Sequence, residues 1–282
     1  MRNPGPLRGL ALLSGLTLLP GAFLLGCGSD ESSEPNEPEI PQAPRRIVSL
    51  VPSATRTLQA LGVTDLLVGR TDYDTLGDIG HLPSVGGGLD PNPEALLLLD
   101  PDLIIRFDQE EDPAGPNELG ELGFPTLAVR LDHMADVRGM IHELGSITGS
   151  QGRAGELIAE MEEALEEVRQ GVLDRPPRRV AYVLGGNPPW VAGGDTYIHE
   201  ILTAGGGENV FSDLESQYGP VSPEEFLVRS IDILMAPEGV EVVLPNIQIP
   251  LVRVSPTLEL PGPDLARAIR EVAAILHPEV FR

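Results

Sequence analysis

The sequence predicts an α/β protein of two Rossmann-like lobes, each built on a parallel sheet, joined by one long helix. Three observations predict it. A helix-then-strand unit occurs twice, as NPEALLLLDPDLII (92–105) and SPEEFLVRSIDILM (222–235), sharing Pro93/Pro223, Glu94/Glu224, Leu97/Leu227 and Asp102/Asp232 without a gap. A strand-like segment opens each half, RRIVSLV (45–51) and RRVAYVL (178–184). Between the halves, residues 153–172 lack proline and carry apolar side chains at 157, 158, 161, 165 and 168, the period of a continuous amphipathic helix.

Each element follows from local chemistry. RRIVSLV is a strand by its β-branched content, and TRTLQAL (55–61) a helix closed by Gly62. LLVG (66–69) is the next strand, and 71–91 a long Gly- and Pro-rich loop of the kind that carries function. In the repeated unit, Asn92 and Ser222 are N-caps. Pro93 and Pro223 fit the first helical position, and Glu94 and Glu224 favour the first turn through the helix dipole. The apolar runs after Asp102 and Asp232 suit buried strands. A short helix near 117–123, a strand at 126–130 and a helix at 135–148 complete the first half. In the second half, 185–195 reads as a loop, 196–204 as a helix and 209–220 as a loop. A strand near 250–254, a loop at 255–263 and a helix over 263–277 end the chain. Strands alternating with helices imply parallel sheets.

The first 27 residues are expected to be a secretory leader: Arg2 and Arg8 precede an apolar stretch over 9–25. Cys27, the protein's single cysteine, follows Leu24-Leu25-Gly26 and stands where a bacterial lipoprotein is lipidated. Residues 28–44 are acidic and Ser/Pro-rich, the composition of a disordered tether. The expected organisation is therefore leader 1–27, tether 28–44, first lobe 45–150, linking helix 151–173 and second lobe 174–282. That places the folded part outside the cytoplasm, held to a membrane by a lipid.

The formal charge is −24 and all 19 basic residues are arginine. Such a chain is unsuited to nucleic acid, which requires basic patches, and to anionic lipid surfaces. Enzyme signatures are absent: there is no GxSxG, GxxxxGK[ST] or HExxH. Asp72 and Asp74 could be imagined as a carboxylate pair, although the loop supplies no evident partner. His81, His133, His142, His199 and His277 show no metal-ligand spacing, so neither a metal site nor a cofactor is expected.

The segments RIVSLVPSAT (46–55), LGVTDLLVGRTDYD (61–74), LPSVGG (82–87) and PPWVAGGDTYIHEILTAGGGENVF (188–211), with the two repeated units, resemble the substrate-binding proteins of bacterial ABC importers whose lobes share a single backbone helix. The likeness spans 45–282 and is greatest to the cobalamin-binding branch, with heme and ferric-siderophore binders nearby. It implies a non-enzymatic, monomeric carrier that takes a metal-containing corrinoid, or alternatively heme or a ferric siderophore, in the cleft between lobes. The carrier would deliver that ligand to an ABC permease and its ATPase. Free-metal binding and a lipid-anchored sensor remain rival roles. Glu94 and Glu224 match the positions that dock on the permease, and Tyr73 matches a ligand-contacting position. Ser53 and Ala54 at a helix start, Gly87 in a glycine run, Phe107, Trp190 and Tyr218, and Thr257 within 255–260 are the further ligand-binding candidates. One stiff linking helix implies a small closure.

Overall fold

In the first lobe, β1 (Ile47–Ser49) is entirely buried and runs into α1 (Pro52–Ala60). The helix starts three residues earlier than the sequence reading placed it. Pro52 needs no N–H partner in the first turn, and Val51, extended at φ −120°, serves as the N-cap residue. Strand β2 (Leu67–Gly69) follows, then α2 (Pro93–Leu99), β3 (Leu103–Phe107), β4 (Thr126–Val129) and α3 (Met134–Ile147). The sheet order is β2-β1-β3-β4, all parallel. The structure, a computed structural model, describes residues 40–75, 77–108, 119, 122–244 and 248–281. Cys27, its leader, most of the tether and most of the helix expected at 117–123 lie outside the described residues. The described residues fall in one compact unit, Glu37–Arg282.

The linking helix, α4 (Gln151–Val172), has 22 residues, about 33 Å at 1.5 Å per residue. It buries Ala154, Leu157, Met161, Ala164 and Val168, one stripe of the helix. It packs against α3 of the first lobe and against α5 (Tyr197–Ala204) and α7 (Leu265–Leu276) of the second. Both lobes thus share one continuous apolar core through this helix.

The second lobe corrects the expectation of a parallel sheet. Its strands β5 (Arg178–Gly185), β7 (Gly207–Asn209), β9 (Ile233–Pro237) and β10 (Leu251–Val254) pair in parallel, but β6 (Trp190–Ala192) pairs antiparallel with β5 on one side and with β8 (Tyr218–Pro220) on the other. Gly185 and Gly186 adopt φ +107° and +87°, a region open to glycine. The chain therefore folds straight back, and the expected loop at 185–195 is a hairpin.

The repeated unit is anchored by the same kind of contact in both lobes. Asp102 accepts hydrogen bonds from the backbone N–H groups of Arg45 and Arg46, and Asp232 from that of Arg179. Arg46 Nε donates to the carbonyl of Asp100, while Arg179 Nε donates to that of Ser230. The two copies differ in length. Asn92 caps α2 through Glu94 and Ala95 N–H at 2.9 and 3.1 Å. The second-lobe helix α6 is only Glu225–Val228, starts after Glu224 and has no side-chain cap, so Ser222 is not its cap. It ends where the backbone turns extended at Arg229 (φ −91°, ψ 116°), whose side chain pairs with Asp213 and Glu225 with its guanidinium 4.8 Å over the Phe211 ring.

Candidate functional site: a cleft between the lobes

In the first sheet the chain leaves β1 toward β2 on one side, while β3 lies on the other. Ligands of open α/β sheets bind beyond the carboxyl ends of strands at such a switch. There the structure has a cavity of about 700 Å³, within the range of roughly 300–1,000 Å³ that holds cofactor-sized ligands. The first lobe lines it with residues just past its strands: Leu50 and Ser53 after β1, Phe107 and Asp108 at β3, Arg130 and Asp132 after β4. The second lobe adds Leu184 at the end of β5, Tyr197 and Ile198 of α5, Tyr218 of β8, and Glu259 and Leu260 at the 3-10 turn Pro256–Glu259.

Four sequence-predicted ligand residues meet there: Ser53, Tyr73, Phe107 and Tyr218. Tyr73 is 71% exposed at the rim. Its loop is held by Asp74, which accepts from the N–H and hydroxyl of Thr71 at 2.8 Å each. Asp72 accepts from the Ser84 hydroxyl at 2.6 Å. Both carboxylates imagined as a pair thus have structural partners. Phe107 faces the cleft and also packs on the core.

The other four are not brought to the lining. Ala54 is fully buried, because the earlier helix start turns Ser53 to the cleft and Ala54 into the core. Gly87 sits against the Asp90 carboxylate, and it is Gly88 that lines the cavity. A Cβ on Gly88 would stand 2.5 Å from the Leu50 carbonyl oxygen. Trp190 lies over Gly186 of the hairpin, 47% exposed and away from the cavity lining. The Thr257 hydroxyl is taken by Ser255 at 2.7 Å and Arg267 at 2.9 Å.

The cleft is acidic. Asp90, Asp108, Asp132 and Glu259 line it with one cation, Arg130, which pairs with Asp108 at 3.1 Å and approaches Asp132 at 3.9 Å. Glu259 is the group that sequence reasoning passed over inside the 255–260 candidate stretch. Burial pushes its carboxyl up to about 7, with the Tyr182 hydroxyl pulling slightly downward. The Tyr182 hydroxyl and Glu259 Oε1 are both buried, near enough to interact but not aligned as a hydrogen bond with any described residue. Burial likewise raises the Tyr182, Tyr197 and Tyr218 phenols above their ordinary value, so all three are neutral at physiological pH. The Tyr197 hydroxyl donates to the Leu258 carbonyl at 3.1 Å and steadies the turn that carries Glu259.

Among the described residues, polar contacts bridge the lobes around Arg56 and around His133. Arg56 of α1 meets Asp264 at 2.6 Å. Glu200 of α5 accepts from Met134 N–H at 2.7 Å, and its other oxygen lies 3.0 Å from His133 Nδ1. Asp195 stands 3.3 Å from His133 Nε2.

Glu94 and Glu224 are exposed, one in the first turn of α2 and one just before α6. The Glu224 carboxyl is held below its usual range by its own backbone N–H and the Ser222 hydroxyl. Among the described residues no group of three or more His, Cys, Asp and Glu side chains could hold a metal ion. No helix among them is long and apolar enough to cross a membrane.

The profile of the family described as "Periplasmic binding protein" matches residues 47–238, which hold the first sheet, the linking helix and every strand of the second sheet but β10. The chain belongs to the periplasmic binding protein family. Its role is therefore solute binding outside the cytoplasm, in a family of binding proteins rather than enzymes. A Vitamin B12-binding protein of Yersinia pestis (strain Pestoides F) is 26% identical over 199 residues, covering 69% of this chain and 70% of that one. The fold is shared with the periplasmic vitamin B12 binding protein of Vibrio cholerae at TM-score 0.71 and 24% identity, over 83% of this chain and 97% of that one. It is shared equally with a periplasmic heme binding protein from Pseudomonas aeruginosa at TM-score 0.73 and 22% identity, over 84% and 94%.

Proposed function

We propose that this periplasmic binding protein captures a corrinoid in the inter-lobe cleft and delivers it to an ABC permease and its ATPase. In this reading Cys27 carries the lipid anchor, and Glu94 and Glu224 dock on the permease. The observation that carries the ligand assignment is the charge of the cleft: among the described residues that line it, four carboxyl groups accompany a single arginine that is already paired. Heme brings two carboxylates and most ferric siderophores are anionic, so each would enter against like charge. A corrinoid is ringed by neutral amides. Those amides match the Tyr73 and Tyr218 phenols, which donate and accept, the Asp90 carboxylate, which accepts amide N–H groups, and Glu259, whose raised pKa lets it donate when protonated, none of which requires a counter-charge. The apolar walls suit the macrocycle face, and the curated vitamin B12-binding relatives support the same branch.

Heme is the second reading, favoured by one observation: Tyr73 presents an exposed phenol at the rim, and tyrosine is an axial ligand of heme iron. The test is titration of residues 28–282 with cyanocobalamin, cobinamide, hemin and a ferric siderophore, followed by calorimetry. Saturable binding of a corrinoid with weak or no binding of hemin is expected. Tight hemin binding with a tyrosinate absorption signature moves the assignment to heme. No binding of any of the four removes the carrier reading.

A further inference from the structure

The two helix tips that carry Glu94 and Glu224 share a second feature. Leu97 and Leu98 are 56% and 87% exposed; Leu227 and Val228 are 64% and 75% exposed. Each pair stands at i+3 and i+4 from its glutamate, on the same helical face. Leu96 and Phe226, one position earlier in each copy, are buried and pin the tip to its lobe. The anchor, the aliphatic pair and the glutamate thus recur at one offset of 130 positions. A lone exposed leucine has no meaning in itself, but a repeated pair rimmed by charge marks an interaction surface. Arg229, beside the second tip, is engaged by Asp213 and Glu225, and among the described residues neither Glu94 nor Glu224 is in an ion pair, so both tips present aliphatic surface beside an unopposed carboxylate.

We infer that Leu97–Leu98 and Leu227–Val228 are twin apolar docking contacts, and that their occupant is a membrane assembly offering two matching sockets, each an apolar patch with a basic side chain beside it. A second copy of this chain does not fit that description, because the same contact would set glutamate against glutamate in a protein of formal charge −24. The inference rests on the importer reading and adds to it. The glutamates set orientation and encounter, while the aliphatic pairs supply the buried area that holds the complex.

The test compares two full-length double variants in the producing bacterium, deleted for this gene and complemented, with uptake of cyanocobalamin and of hemin as readouts. Leu98→Ser/Val228→Ser removes the most exposed aliphatic of each tip, and Glu94→Ala/Glu224→Ala removes the charges. Melting temperature and ligand affinity of the purified variants are expected to match the wild type, since all four side chains are exposed and far from the cleft lining. Loss of uptake by about tenfold in the aliphatic variant is expected, a 1.4 kcal/mol weakening of docking. A photo-crosslinking residue at 98 and another at 228 should both trap the same permease protein. Wild-type uptake by the aliphatic variant overturns the inference and, if the glutamate variant fails, leaves the importer reading standing. Wild-type uptake by both variants overturns the inference and the docking role of the glutamates together.

Discussion

Glu200 accepts a hydrogen bond from the backbone N–H of Met134 at 2.7 Å, so a side chain of the second lobe caps a helix of the first. The same carboxylate reaches His133 Nδ1 at 3.0 Å. Replacing Glu200 with alanine should cost about 1 kcal/mol, the usual worth of a lost cap. Urea unfolding would read that cost. A double-mutant cycle with His133→Ala should give a coupling of at least roughly 0.5 kcal/mol, and additivity would show the two side chains to be independent.

Glu259 makes stability depend on pH in a direction opposite to most carboxylates. Its folded pKa, about 7, lies above the ordinary 4.5, so between those values the folded state binds the extra proton. Stability contributed by this group is present below pH 4.5 and is lost as pH rises through about 7. Glu259→Gln should flatten the fall in stability between pH 5 and pH 8 seen in the wild type. Parallel denaturation curves at both pH values would check this, and an unchanged slope in the variant would refute the assignment.

Gly88 is the place where the cleft admits no side chain. Gly88→Val would drive its Cβ toward the Leu50 carbonyl, at a starting distance of 2.5 Å. Ligand affinity should fall at least about tenfold, or 1.4 kcal/mol, while Gly87→Ala should act chiefly by displacing the Asp90 side chain. Calorimetry on both variants separates the two positions.

The aspartates of the repeated unit should cost unequally when changed. Asp102 accepts from two backbone N–H groups and Asp232 from one. Each charged acceptor is worth roughly 1.5–3 kcal/mol when buried and less when half exposed. Asp102→Ala should therefore destabilise more than Asp232→Ala, with thermal melts as the measurement.

Local chemistry made the frame legible. The twin units, the linking helix and its buried face at 157, 161 and 168 could all be read from periodicity, because each depends on neighbours along the chain. Ser53 and Ala54 show where such reading fails: a shift of helix start by three residues changes which one faces the cleft. Trp190 looked like a cleft residue because the 185–195 stretch resembled an open loop, whereas two glycines at positive φ fold it into a hairpin that turns the indole outward. Arg130, Asp132, Tyr197 and Glu259 were illegible for a different reason. They meet only because the sheet order and the packing of both lobes on α4 bring strand ends together, and no local pattern encodes that meeting.

The linking helix has a consequence for how tightly a partner can be held. Because α4 packs against both lobes, the two helix tips are the ends of one stiff body rather than of two jointed ones. In the proposed docking, once the first tip has engaged, the second would find its socket as an intramolecular step, at an effective concentration set by the framework and without the entropy loss of a flexible leash. Two weak contacts would then give strong avidity, and a change of lobe spacing too small to matter for the fold would be enough to move such a complex between held and released.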